Sequence, residues 1–123
     1  MNKNWKNFIK ENRKKYMDIK HIICPAFDNE EIYFNNYGFD HLIYKGKRRR
    51  PKKDAENRLS LVSKTSEILK NAKSIYKQKR SIKGQSVAHF WEVRNMDKSG
   101  KVICIIIRKL NNGTKHFFSV FYK

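Results

Sequence analysis

One stretch of the chain joins a histidine to a dense block of cations. In Asp40-His41-Leu42-Ile43-Tyr44-Lys45-Gly46-Lys47-Arg48-Arg49-Arg50, a short apolar segment, read as a strand, opens on His41 and runs into basic residues. From Lys45 to Arg58 there are eight Lys or Arg against only Asp54 and Glu56. An imidazole beside so many cations suits a phosphate-bearing ligand. Metal-independent RNA cleavage asks for three things: a base for the 2′-OH proton, an acid for the leaving 5′-oxygen, and donors around the crowded phosphorane. Histidine serves as acid or base near neutral pH. Arginine offers a rigid fork of donors to phosphate. A small hydroxyl can donate to phosphate or orient the attacking group.

The end of the chain supplies the rest of the set: Arg108, His116 and Ser119. If Asn112-Gly113 is a two-residue hairpin turn, Asn111 pairs with Thr114, Arg108 with Phe117 and Ile106 with Ser119. Arg108 and Ser119 then share one sheet face, and Lys109 and His116 the other. A register change of one residue exchanges those groupings. Ser119 stands among Phe117, Phe118, Val120 and Phe121, so its hydroxyl either bonds a local backbone group or has a task. No GxSxG or Ser-Lys motif surrounds it, which excludes the usual acyl-transfer settings. The nearest acids, Glu56 and Glu92, form no evident base. Arg58 opens a helix and is either a surface residue or a phosphate contact. The run Arg48-Arg49-Arg50 reads as unselective phosphate binding.

The composition agrees with a polyanionic partner. The chain has 123 residues and a net charge of +18. Solubility alone asks for a net charge of only about 2 to 8 in a small domain. An excess this large repels itself in the compact state, so nucleic acid is the first expectation and an anionic membrane surface the second. At 39% hydrophobic residues the chain can build a core and is not expected to be disordered. Cys24 and Cys104 sit in apolar runs without CxxC or Cys/His ligand spacing, which speaks for buried free thiols rather than structural zinc. The reading calls for no metal and no cofactor. No run approaches the roughly 20 apolar residues of a membrane span, and Met1-Asn2-Lys3-Asn4 does not begin a signal peptide. A cytoplasmic setting is expected.

The elements that must position these residues follow from periodicity. Trp5, Phe8, Ile9 and Tyr16 predict an amphipathic helix, packed on the domain or laid on a partner. Ile19–Cys24 predicts a strand closed by Pro25, with His21 a structural or exposed residue at its start. Asp28-Asn29-Glu30-Glu31 predicts a turn whose acids cap a helix or offset cations; its spacing matches no metal motif. Ile32 and Phe34 predict a short strand, followed by a turn through Asn35, Asn36 and Gly38. Asp54 is the expected N-cap of one long helix running from Ala55 to Tyr76, about six turns. Val87–Asn95, Val102–Ile107 and Lys115–Tyr122 predict strands, the middle one central because it is apolar on both faces. The expected architecture is α+β, with N-terminal helices packed on a four-stranded antiparallel sheet. It forms a single domain over residues 1–123, divided into a helical or irregular part, 1–36, and a core, 37–122.

Four segments together carry a resemblance: Phe39 to Arg48, Asn57-Arg58-Leu59 opening a long helix, Lys101 to Arg108, and Asn112 to Val120. Over roughly residues 37 to 122 they resemble the phage-type nucleases of the barnase/EndoU/colicin/RelE-like superfamily. The resemblance implies helices preceding a four-stranded antiparallel sheet and metal-independent RNA cleavage on the sheet face. It implies catalytic roles for His41, in an early strand, and for Arg108, His116 and Ser119, with Lys45 and Arg58 as phosphate contacts. Lys47, Arg48, Arg49 and Lys115 complete the expected RNA-binding set. Barnase uses a glutamate base that has no counterpart here, so His41 takes that role.

Three activities compete. The first is a toxin-like endoribonuclease that leaves a 2′,3′-cyclic phosphate and is held in check by an acidic antitoxin or immunity protein. The second is a non-catalytic RNA- or ribosome-binding module, in which Tyr37, Tyr44, Trp91 and Phe117 could stack bases. The third is a DNA-binding accessory protein, for which no helix-turn-helix or zinc pattern is evident.

Overall fold

A computed structural model describes residues 3–123. The class is α+β, and the first helix precedes the sheet. The sheet itself differs from the expected four antiparallel strands: it is six-stranded and mixed, in the order β1-β2-β8-β7-β6-β5. Its strands are β1 (His21–Cys24), β2 (Glu30–Tyr33), β5 (Lys77–Lys83), β6 (Ser86–Met96), β7 (Val102–Leu110) and β8 (Lys115–Tyr122). The β5–β8 meander is antiparallel throughout. The β1–β2 hairpin joins it through a parallel pairing of Tyr33 with His116. Residues 1–36 therefore contribute strands to the sheet as well as a helix. A two-stranded ribbon, β3 (Tyr44–Lys45) with β4 (Arg48–Arg49), stands apart.

Four α-helices complete the described chain: α1 (Lys3–Ile19), α2 (Asn36–Ile43), α3 (Lys52–Ser60) and α4 (Val62–Asn71). The expected strand at His41 is instead α2. Phe39, Leu42 and Ile43 are buried at helical spacing, and the Asn35 side chain accepts from the Gly38 amide at 3.0 Å, capping the first turn. The expected turn at Asn35–Gly38 is the start of that helix.

The single long helix is likewise two. Leu61 sits between them at φ −88°, ψ −7°, and Ala72 is extended, so Ile75 and Tyr76 lie outside any helix. Asp54 is not the N-cap; Pro51 holds that position and Asp54 lies in the first turn of α3, where the helix dipole favours a carboxylate. Strand β5, Lys-Gln-Lys-Arg-Ser-Ile-Lys, lies almost wholly exposed at the sheet edge, so it carries no hydrophobic alternation to announce it. Among the described residues no helix is long and apolar enough to cross a membrane.

The core that matters for the site is aromatic. Tyr16 of α1 packs on Phe34, Phe39 and Phe117 at 5.4, 5.3 and 5.6 Å between ring centres, and its hydroxyl donates to the Asn35 carbonyl at 2.8 Å. Each such aromatic contact contributes about 0.5–1.5 kcal/mol beyond the area it buries. The cluster ties α1, the start of α2 and strand β8 into one unit. Cys24 and Cys104 are free and buried. Of the acids in the stretch 28–31, Glu30 and Glu31 open strand β2; Glu30 pairs with Lys115, and Glu31 Oε2 lies 2.9 Å from His21 Nε2.

Candidate active site

Strand register decides which late residues meet. Near the turn Arg108 pairs with His116 and Ile107 with Phe117; further on Ile106 pairs with Ser119. Phe118 is therefore an extra residue, a β-bulge. The expected pairing of Arg108 with Phe117 is wrong by one, and that of Ile106 with Ser119 holds. The cause is the turn. Lys109 pairs with Lys115, so the loop is longer than Asn112-Gly113, with Asn111 at φ 53°. The Asn111 side chain is held by the Val87 amide at 2.8 Å. The bulge then absorbs the difference. Phe117 enters the core opposite Ile107, while Ser119 swings to the other face beside Arg108 and His116.

Helices α2 and α3, with Arg50 in the segment between β4 and α3, bring the remaining groups to that face. The last turn of α2 lays His41 against Phe118, with ring centres 4.1 Å apart. Arg50, only 8% exposed, donates from Nε to the His41 carbonyl at 2.9 Å, and its Nη2 lies 3.3 Å from His41 Nδ1. Arg50 Nη1 reaches Asp54 Oδ2 at 3.5 Å, and Arg58 Nε donates to Asp54 Oδ1 at 2.9 Å. Arg58 Nη1 donates to Ser119 Oγ at 2.7 Å. A continuous polar chain thus runs His41–Arg50–Asp54–Arg58–Ser119, from α2 through α3 to β8. Beside it Arg108 donates from Nε to His116 Nε2 at 3.1 Å and from Nη1 to the Tyr37 hydroxyl at 3.2 Å. The Arg108 guanidinium lies over Tyr37 at 4.2 Å, and Phe90 closes on Phe118 edge-on at 5.4 Å. A depression of about 570 Å³, lined by Arg13, Tyr37, Asp40, His41, Tyr44 and Gly46, opens next to His41. A larger one, about 710 Å³, lies away from this cluster between α4 and the β6–β7 turn.

The electrostatics follow from this crowding of cations. Burial, then Arg50, Arg58, Arg108 and Lys45, hold His41 at about 4. Burial and Arg108 hold His116 at about 4 against an opposing backbone hydrogen bond at Thr114. Burial pushes Asp54 up, but its bonds to Arg58 and Arg50 win and leave it below the usual carboxylate range. Both histidines are neutral at pH 7. An arginine can only donate, so Nδ1 of His41 and Nε2 of His116 are the acceptor nitrogens and the opposite nitrogens carry the protons. Each lone pair is masked by a guanidinium.

Of the expected residues, His41, Arg58, Arg108, His116 and Ser119 come together. Lys45 lies close enough to bear on His41. Lys47, Arg48 and Arg49 are exposed on the β3–β4 ribbon at the margin. Lys115 is not part of the cluster: it lies on the opposite sheet face, over Trp91 at 4.9 Å and paired with Glu30 at 2.8 Å. Sequence reasoning missed Arg50 and Asp54 as the links of the polar chain, and Tyr37 and Phe118 as its aromatic floor. The spacing of Arg50, Asp54 and Arg58 at successive i, i+4 positions is the signal that could have found the first two.

The depressed histidines have a consequence for stability. In the unfolded chain they titrate near their ordinary 6.5 and in the folded protein near 4, so between those values the unfolded state binds more protons. Stability is therefore expected to be full above pH 6.5 and to fall as pH drops toward 4. Urea unfolding across that window should show uptake approaching two protons; a flat profile would mean that neither histidine is held neutral by the fold.

No family model matches the chain, and no curated protein or solved structure matches it either.

Proposed function

We propose that the protein is a metal-independent, toxin-like endoribonuclease that cleaves by attack of a ribose 2′-OH on the adjacent phosphate. The observation that carries this reading is the convergence of two histidines, three arginines and a serine from α2, the segment leading into α3, α3 itself, β7 and β8 on one sheet face. The resemblance to the barnase/RelE-like nucleases supports it from the sequence side, and with it a nuclease-like core over residues 37–122. In the free protein each histidine is masked by a guanidinium. A phosphate offers those guanidinium groups a charged, bidentate partner, which is the stronger interaction. Once Arg50 and Arg108 turn to the phosphate, both lone pairs are released and both pKa values move toward the useful range near neutrality.

His41 then takes the 2′-OH proton as the new 2′-O–P bond forms. The P–O5′ bond breaks, and a protonated His116 supplies the proton to the leaving 5′-oxygen. Arg58, Arg108 and the Ser119 hydroxyl donate to the phosphorane oxygens. The products are a 2′,3′-cyclic phosphate and a 5′-OH. The exposed cations Lys45, Lys47, Arg48 and Arg49 extend the phosphate-binding surface, and the +18 charge suits an acidic antitoxin or immunity protein as inhibitor in a cytoplasm.

The masking of both histidines also favours a second reading, a non-catalytic RNA- or ribosome-binding module, because a binder needs guanidinium groups and no free lone pair. Total RNA and purified ribosomes, incubated with the protein in EDTA, separate the two. Cleavage with 2′,3′-cyclic phosphate ends is the expected result. Intact RNA in both incubations, with salt-sensitive binding, would establish the binding module.

A further inference from the structure

The sheet has a second aromatic and basic surface, on the face turned away from the cluster described above. Gln78 pairs with Trp91 and Arg80 with His89 across the β5–β6 hairpin, and His89 pairs in turn with Lys109 of β7. Trp91 also pairs with Ile107, which faces the core, whereas Phe90 pairs with Arg108, which faces the candidate active site. Alternation along β6 therefore sets the Trp91 and His89 side chains back to back with Phe90.

Helices cover the centre of this face, but His89 and Trp91 are only half-buried, and Gln78 and Arg80 beside them are exposed. The His89 and Trp91 rings lie near parallel, 5.8 Å apart at 20°. Trp91 is fixed from the core side by the edge of Phe27 at 5.5 Å, and Lys115 Nζ lies 4.9 Å from its ring centre. Gln78, Lys79, Arg80, His89 and Trp91 line a depression of about 280 Å³.

We propose that this surface is a stacking platform for single-stranded RNA, distinct from the cleavage site. Two parallel π faces on a rigid strand suit an unpaired base, because every base has a π face of its own. Arg80 stands where a flanking phosphate would run, and the Gln78 amide can both donate to and accept from a base edge. The occupant is RNA rather than an acidic protein because the rings supply stacking area that a carboxylate-rich surface would leave unused. An RNA strand that crosses the exposed, basic β5 edge would touch both faces of the sheet. The platform rests on the RNA-binding part of the proposed function and not on cleavage.

A deoxyoligonucleotide of about eight nucleotides, within the usual site size, makes the test independent of cleavage because it has no 2′-OH. In a Trp5→Phe background the remaining tryptophan, Trp91, is the reporter. Binding is expected to quench it. His89→Ala should weaken binding on the order of tenfold. Arg80→Ala should weaken it and lower the slope of log affinity against log salt by about one. Both side chains lie on the outer part of the hairpin, and circular dichroism verifies their folding. Unchanged Trp91 emission with unchanged affinity in both variants would overturn the platform. So would a loss, in those variants, of binding to poly-glutamate but not to the oligonucleotide.

Discussion

Replacing His41 by alanine is expected to lower RNA cleavage on the order of 10²- to 10⁴-fold, the usual worth of one acid–base group, while RNA affinity changes little. His41 is the imidazole that lines the 570 Å³ depression, and it stands at one end of the chain that leads to Ser119. Affinity should survive because the guanidinium groups that hold phosphate remain. A merely structural histidine would give a different signature, with activity and thermal stability falling together. Three readouts separate the cases. Added imidazole should restore part of the rate in His41→Ala. Burial, the main cause of the low His41 pKa of about 4, stays in Arg50→Gln, but the nearest cation is lost, so the value should rise part of the way toward its ordinary range. Single-turnover cleavage by His41→Ala at the rate of the unaltered protein would remove His41 from the mechanism.

The second large effect concerns Gly38. A Cβ added there would lie 2.3 Å from the Phe117 carbonyl and 2.5 Å from the Tyr16 hydroxyl. Two terms oppose each other. Alanine is the better helix former by about 1 kcal/mol. The clash forces α2 off strand β8, and inserting atoms into a packed core costs typically about 1–3 kcal/mol and sometimes more. Here one of the two close atoms is backbone, which cannot rotate aside, so the clash wins. Gly38→Ala is expected to destabilise the protein by about 2 kcal/mol or more. It should also move His41 away from Phe118, since both effects act through the seat of α2. Ala at Gly46 is a useful contrast: nothing lies near its Cβ, so only its φ of +64° opposes substitution. Chemical denaturation of the two variants checks the ranking; a Gly38→Ala protein as stable as its parent would show that α2 does not sit against β8 as described.

The parts of the fold legible in the sequence were those with a strong local period. Helix α1 follows from Trp5, Phe8, Ile9 and Tyr16, and the centrality of β7 from its unbroken run of apolar residues. The parts that were not legible have local causes. At α2 the apolar residues Phe39, Leu42 and Ile43 fit a helix, but the run Leu42-Ile43-Tyr44 reads as a strand when taken alone. At β5 the cations of an exposed edge hide the alternation, and the strands read at Ile19–Cys24 and Ile32–Phe34 fall outside the expected sheet, so four strands are expected instead of six. At Leu61 the apolar stripe continues across a break that sidechain periodicity does not register.

The candidate site was half visible. Residue types named His41, Arg58, Arg108, His116 and Ser119. Arg50 was hidden in a run of three arginines, because sequence cannot tell which of them turns inward. Lys115 was misplaced because its neighbour His116 is on the site face and alternation puts Lys115 on the other.

The bulge at Phe118 does more than turn Ser119 toward His116. A regular antiparallel pair can slide by two residues and keep every side chain on its face, so its alignment is defined only by its ends. Here the pairing on one side of Phe118 is offset by one from the pairing on the other. No rigid slide of β8 along β7 reproduces both halves. A shift that kept Ile107 opposite an aromatic would carry Ser119 away from Ile106, and one that kept Ser119 on its face would displace Phe117 from the Tyr16 cluster. The irregularity therefore acts as an index mark within the strand. It makes the alignment of β7 and β8 unique from the inside, and it fixes the separation of Arg108, His116 and Ser119 without help from the loop.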